Sequence, residues 1–365
     1  MKILHIIHGL NSGGAERQLV ELLKGLVKKD NIKVGVVIFS DVIDYEYIFN
    51  LDVDIHILKR KCKKDFTIFS KLYKICKIFK PDIIHGWELM SSVYSMPIAK
   101  LIGAKFINGI IRGAPSEFSL FKSRFFLLTK VTLFFSDFNI SNSYEGLRSY
   151  NLSGLKSSCI HNGFDFNRLK NINKAENIKK QHNIKTKNTV GMVARFDERK
   201  DYATYIESAM NILQKRNDVT FLAIGDGETL HNYKNLVPVE YKEYIRFLGK
   251  QNDVESLINI FDIGVLVSFE EGISNSIMEY MALEKPVIAT KHKGNEEIVI
   301  ENRTGYLIRR EDIKDLTEKI EYLLDNKVTA TAMGRAGRER LEKEFSLEKM
   351  TGAYINLYKK CFPAT

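Results

Sequence analysis

The feature that most limits what this chain can become is a rhythm of short apolar runs, each followed by a turn and an amphipathic stretch, and the rhythm is played twice. In the first half, ILHII, VGVVIF, DIHIL, DIIH, KFING and FNIS have the length and apolar continuity of strands covered on both faces. Ala15, Leu19, Leu22, Leu23 and Leu26 mark one face of a helix after the first run. In the second half, TVGMVA, VTFLAIG, IRFLG, IGVLVS, PVIAT and GYLI repeat the pattern, with helices predicted near 201–214, 253–260, 276–283, 294–300 and 311–325. Strands alternating with helices build parallel sheets, and two such series predict two doubly wound α/β domains. Residues 166–187 between them are polar and lysine-rich, the composition of a linker. The expected organisation is a Rossmann-like domain over 1–165, a linker over 166–187, a second domain over 188–343, and a helix within 344–365 that packs back on the first.

Composition narrows the class. At 365 residues, 44% hydrophobic and 27% charged, the chain is long enough for two cores and reads as a globular protein. No run of about 18 uncharged apolar residues suits a membrane span. The apolar N-terminal stretch is too short for a signal peptide and reads as a first strand. Cys62, Cys76, Cys159 and Cys361 are scattered, without a CxxC, which predicts neither disulfides nor structural zinc and fits a reducing cytosol. The net charge of +10 is uneven: residues 1–170 hold 25 Lys and Arg against 15 Asp and Glu, the remainder 30 against 30. The first half therefore invites an anionic partner, compositional drift being the alternative.

Three constellations carry chemistry. In SFEEGISNSIMEYMALEKPVIAT, Glu271 and Glu279 flank a loop that follows a strand and opens a helix. Such loops lie where open α/β sheets bind ligands, and the helix N-terminus suits a diphosphate. Ser276-x-x-Glu279 is also a capping-box pattern, the structural alternative. In VARFDERKDY, Arg195 and Lys200 flank a turn between strand and helix, where two cations can neutralise a departing diphosphate. Gly13 and Gly14 follow the first strand and let a backbone approach a ligand, although the spacing is not GxGxxG. His85 and Trp87 stand at the end of the fourth strand, where an acceptor contact and a buried structural role are both open. Asp52-Val53-Asp54 has the form of a metal-binding DxD without the context for it.

On these residues the chain resembles the family 4 retaining glycosyltransferases. The likeness runs along nearly the whole length, through SGGAERQ, KPDIIHGW, IHNGFD, VARFDERKD, FLAIGDGE, IRFLGKQNDV, EEGISNSIMEYMA and GNEEIVIENRTGYLI. It implies the GT-B fold, two facing Rossmann-like domains with a cleft between them. It also implies a nucleotide-diphosphate sugar donor, UDP-linked, retention of configuration, and no metal or other cofactor. By that likeness Glu279 binds ribose, Glu271 meets the donor sugar, Arg195 and Lys200 hold the diphosphate, and the backbone at Ile273, Ser274 and Asn275 holds sugar and phosphate. Many relatives carry a histidine where this chain has INGIIRG; Arg112 is the candidate to replace it. Glu284 stands where many have glycine after the helix, which predicts a different C-cap.

Residues 59–80 carry nine cations among Phe66, Phe69, Tyr73 and Phe79, and the apolar stretch 118–135 holds Lys122, Arg124 and Lys130. Such segments suit an anionic inner-membrane surface, or are crossover helices with buried faces. No nucleic-acid module is recognisable. The expectation is a cytoplasmic, peripherally membrane-bound transferase acting on a lipid-linked saccharide; a sugar-nucleotide epimerase and a non-catalytic binding subunit are the rival readings.

Overall fold

The computed structural model describes residues 1–60, 65–111, 124–152, 154 and 156–362. The chain divides into two compact units, Met1–Gly163 with Leu347–Thr365, and Phe164–Ser346.

The first unit is built on β1 (Lys2–Ile7), β2 (Lys33–Ile38), β3 (Asp54–Ile57), β4 (Ile83–Gly86), β5 (Lys105–Ile111), β6 (Phe138–Ser141) and β7 (Ser157–Cys159). They form one parallel sheet in the order β3-β2-β1-β4-β5-β6-β7. Its first six strands are the apolar runs; β7, SSC, has no apolar signature. The order reverses between β1 and β4, so the loops leaving those two strands part to opposite faces. Helix Thr67–Phe79 covers one face with Ile68, Leu72, Cys76 and Phe79. Helices Gly14–Leu26 and Leu347–Lys360 cover the other. The latter buries Leu347, Met350, Thr351, Tyr354, Leu357 and Tyr358, a single stripe at helical spacing.

The second unit repeats the plan with β8 (Asn188–Val193), β9 (Val219–Ile224), β10 (Ile245–Gly249), β11 (Ile263–Leu266), β12 (Val287–Thr290) and β13 (Gly305–Ile308). The parallel order is β10-β9-β8-β11-β12-β13, with the reversal between β8 and β11. Residues 166–187 are not a free linker. They form a 3-10 turn, Phe166–Leu169, and a helix, Ala175–Gln181, and send Ile178 and Ile184 into this unit's core. Exposed Lys174, Lys180, Lys185 and Lys187 dominate the composition and mask those two apolar anchors. No helix among the described residues is long and apolar enough to cross a membrane.

Candidate functional site

Arg195 and Lys200 follow β8; Glu271, Ile273, Ser274 and Asn275 follow β11. These are the two loops at the second sheet's reversal point, where sheets of this order take ligands. Backbone pairing stitches them together. Asp201 N–H donates to the Val267 carbonyl at 3.1 Å, and Phe269 N–H to the Arg199 carbonyl at 2.9 Å. Lys200 Nζ is thereby brought onto Glu271 Oε1, 71 positions away, with the side chains only 14% and 15% exposed. Burial, and then the Arg199 cation, pull Lys200 down to about 8, with Asp197 working the other way. Arg195 is exposed, and its guanidinium has no partner among the described residues.

Glu279 lies on the helix Asn275–Ala282, which side chains fasten to the sheet. Ser276 Oγ donates to the Val193 carbonyl at 2.6 Å. Tyr280 OH accepts from Val193 N–H at 2.7 Å and donates to the Val265 carbonyl at 3.1 Å, bridging β8 and β11. The capping residue is Ser274, whose Oγ accepts from Ile277 N–H at 3.5 Å. This corrects the capping-box alternative: the helix starts one residue earlier than expected, and Glu279 sits on its fifth residue, beyond a cap's reach. Glu279 is instead buried, 4% exposed, with Oε1 accepting from Arg168 Nη2 at 2.8 Å. The same nitrogen meets Glu255.

Arg168, Glu255 and His292 are not among the candidates that motifs and spacing mark in the sequence. His292 follows β12; its Nδ1 accepts from Asn295 N–H at 3.4 Å, capping the helix Lys293–Ile298. Burial, then Arg310 and Lys200, push it down to about 4, so it is a neutral imidazole. Gly294 beside it lies so close to the loop after β11 that a Cβ would come within 2.3 Å of the Glu271 carbonyl oxygen. A histidine just past a strand's C-terminal end was the available signal; Arg168 had none.

In the first unit, Gly13 is the N-cap of the helix Gly14–Leu26 with an ordinary φ of −91°, and its carbonyl accepts from Tyr45 OH at 3.3 Å. Gln18 in the same motif is buried and clamps Gly163, accepting from its N–H at 2.9 Å and donating to its carbonyl at 3.2 Å. His85 and Trp87 are not surface groups awaiting an acceptor: both are 0% exposed. Their rings stack at 5.0 Å, His85 Nδ1 pairs with Tyr358 OH at 2.9 Å, and Trp87 Nε1–H donates to His5 Nδ1 at 3.0 Å. The register explains it, since His5 and His85 are paired neighbours on β1 and β4 beneath the C-terminal helix. Asp54 pairs with Lys33 at 3.0 Å. Arg112 lies outside the described residues, as do 61–64 and 118–123 of the two basic stretches. The helix Arg124–Phe135 leaves Leu127, Phe134 and Phe135 66%, 79% and 52% exposed.

Two Rossmann-like parallel-sheet units, the second with cations and carboxylates gathered at its reversal point, are the plan of the GT-B class. Residues 12–168 match the family model described as Glycosyltransferase Family 4, and 174–340 match Glycosyl transferases group 1. With both halves matched, the chain belongs to this family of glycosyltransferases. It is 26% identical to the capsular polysaccharide biosynthesis glycosyltransferase CapM of Staphylococcus aureus, over 94% of this chain and 93% of that one. It is 25% identical to the UDP-Gal:alpha-D-GlcNAc-diphosphoundecaprenol alpha-1,3-galactosyltransferase of Escherichia coli, over 81% and 79%. The putative glycosyltransferase EpsD of Bacillus subtilis is 28% identical over 44% of this chain, and the match spans 43% of that relative's length. The structure of Anabaena Alr3699/HepE in complex with UDP-glucose shares the fold, with a TM-score of 0.85 and 19% identity over 99% of this chain and 100% of that one.

Proposed function

We propose that this chain transfers a sugar from a UDP-sugar, with retention of configuration and without a metal, to a hydroxyl of a lipid-linked or polysaccharide acceptor in cell-surface polysaccharide synthesis. The observation that carries this reading is the pairing of Lys200 with Glu271 at the reversal point of the second sheet, beside the helix that bears Glu279. A diphosphate fits the cations Lys200 and Arg195 and the helix N-terminus at Ser274 and Asn275. When it binds, it takes Glu271's place on Lys200, and the released carboxylate turns to the sugar hydroxyls. Glu279 takes the ribose diol. In the reaction the acceptor oxygen bonds to the anomeric carbon as the bond from that carbon to the phosphate oxygen breaks. The acceptor proton passes to the departing phosphate, and both events occur on one face of the sugar. The protein's share is positioning and stabilisation of the leaving charge.

The capsule relative, and the galactosyltransferase whose name specifies UDP-Gal and a diphosphoundecaprenol acceptor, support the substrate classes. The exposed Leu127, Phe134 and Phe135, with Lys74, Lys77 and Lys80, support a seat on an anionic membrane surface. The test is transfer from a panel of UDP-sugars to polyprenyl-diphosphate-linked saccharides, with exhaustive EDTA and with the anomer read by NMR. Product of inverted configuration, or activity lost with chelator and restored by manganese, sinks the mechanism. Equal pelleting with neutral and anionic vesicles across a salt series sinks the electrostatic attachment.

A further inference from the structure

A guanidinium bonded to Glu279 comes from the second unit's first turn. Arg168 sits in the turn Phe166–Leu169, whose cap Asp165 accepts from Asn167 N–H at 3.0 Å. Its guanidinium lies over the Phe164 ring, 4.7 Å from the centroid. One nitrogen, Nη2, serves two carboxylates, Glu279 Oε1 at 2.8 Å and Glu255 Oε1. All three side chains are shielded: Arg168 is 13% exposed, Glu255 12% and Glu279 5%.

We infer that Arg168, itself held by Glu255, is the positioning residue that sets Glu279 for the ribose of the nucleotide; this rests on the ribose role proposed for Glu279. Arg168 thus ties Glu279 to a second shielded carboxylate. A carboxylate held in one direction suits partners that donate hydrogen bonds, as the two hydroxyls of a ribose do. A guanidinium N–H takes about one of the four acceptor positions of a carboxylate, and its direction sets that of Glu279. The aromatic plate of Phe164 and the second carboxylate keep the planar fork from turning. Lysine, a point charge on a flexible stem, cannot hold both partners in one geometry.

The experiment is calorimetric titration of the full chain with UDP and with 2′,3′-dideoxy-UDP, for wild type, Arg168→Gln, Arg168→Lys, Glu255→Gln and Glu279→Gln, each beside a melting curve. Arg168→Gln is expected to weaken UDP about tenfold and dideoxy-UDP less than about twofold, because only the diol senses where Glu279 points. Arg168→Lys and Glu255→Gln are expected to give smaller losses with the same preference for UDP. Equal losses on both nucleotides, or none on UDP, overturn the inference while a selective loss in Glu279→Gln leaves the ribose reading standing. If Glu279→Gln fails to discriminate the two nucleotides, or wild type binds no UDP, the ribose reading falls and this inference with it. Should Arg168→Gln not fold, Glu255→Gln decides on the same criterion.

Discussion

Lys200 is a cation whose charge is easily lost, and the proposed diphosphate site depends on it. The free protein holds it near 8, and a bound diphosphate raises that value because it favours the charged form. UDP affinity is therefore expected to be level below about pH 8 and to fall above it by up to about tenfold per unit. Arg in its place keeps its charge throughout. Lys200→Arg should bind with a level profile from about pH 6.5 to about 9.5. Calorimetry across that range checks this, and parallel profiles would assign the titration to another group. Glu279→Ala is expected to weaken UDP by about tenfold or more and also to lower the melting temperature, since it takes a buried carboxylate from Arg168 as well as from the ribose. Normal affinity with a lowered melting temperature would leave that carboxylate a purely structural role. Residue types and spacing were enough to single out Lys200, Glu271 and Glu279. Arg168 was illegible because its partners lie 87 and 111 positions away, and nothing local marks one arginine of a polar segment as buried.

The helix Asn275–Ala282 shows what an element's ends reveal. Glu284 follows it in the left-handed region, φ 56°, in a Schellman closure: Lys285 N–H donates to the Tyr280 carbonyl at 2.9 Å and Glu284 N–H to that of Met281 at 3.1 Å. A side chain there costs about 1 to 2 kcal/mol that glycine avoids. Glu284→Gly should therefore stabilise the second unit by about 1 kcal/mol, read from urea midpoints at unchanged m-value. Gly334→Ala should do the reverse, since its Cβ would lie 1.9 Å from the Glu284 carbonyl oxygen, a backbone atom that cannot turn aside. A stable Gly334→Ala protein would show that the helix Lys327–Glu344, which carries Gly334, shifts freely. Strands were the most legible elements, because a strand covered on both faces must be a nearly continuous apolar run. β7 escaped because three residues, SSC, pair at a sheet edge without contributing apolar surface. The cap was misplaced by two residues because serines 274 and 276 differ only in which backbone group each reaches, a property of the loop's path.

On the scale of the whole molecule, the single tryptophan, Trp87, lies in the first unit, so intrinsic indole emission follows that unit alone. Beside it His5 is wholly buried, which pulls its pKa from 6.5 to about 3. As the pH falls through that window the unfolded chain takes up a proton that the folded unit refuses, so stability is lost there, at about 1.4 kcal/mol per unit for this site. His5→Gln keeps an acceptor for the indole N–H and should flatten the acid slope of urea midpoints followed by Trp87 emission. An unchanged slope would place the acid sensitivity elsewhere. The chain leaves the first unit after Gly163 and returns to it at Leu347. On the ribosome the intervening segment takes roughly 10 to 40 s to make. Through that interval the first sheet waits without Tyr354 and Tyr358, its apolar face open to chaperones. The half of the protein translated first is thus the half completed last, and the final helix acts as the latch that ends its exposure.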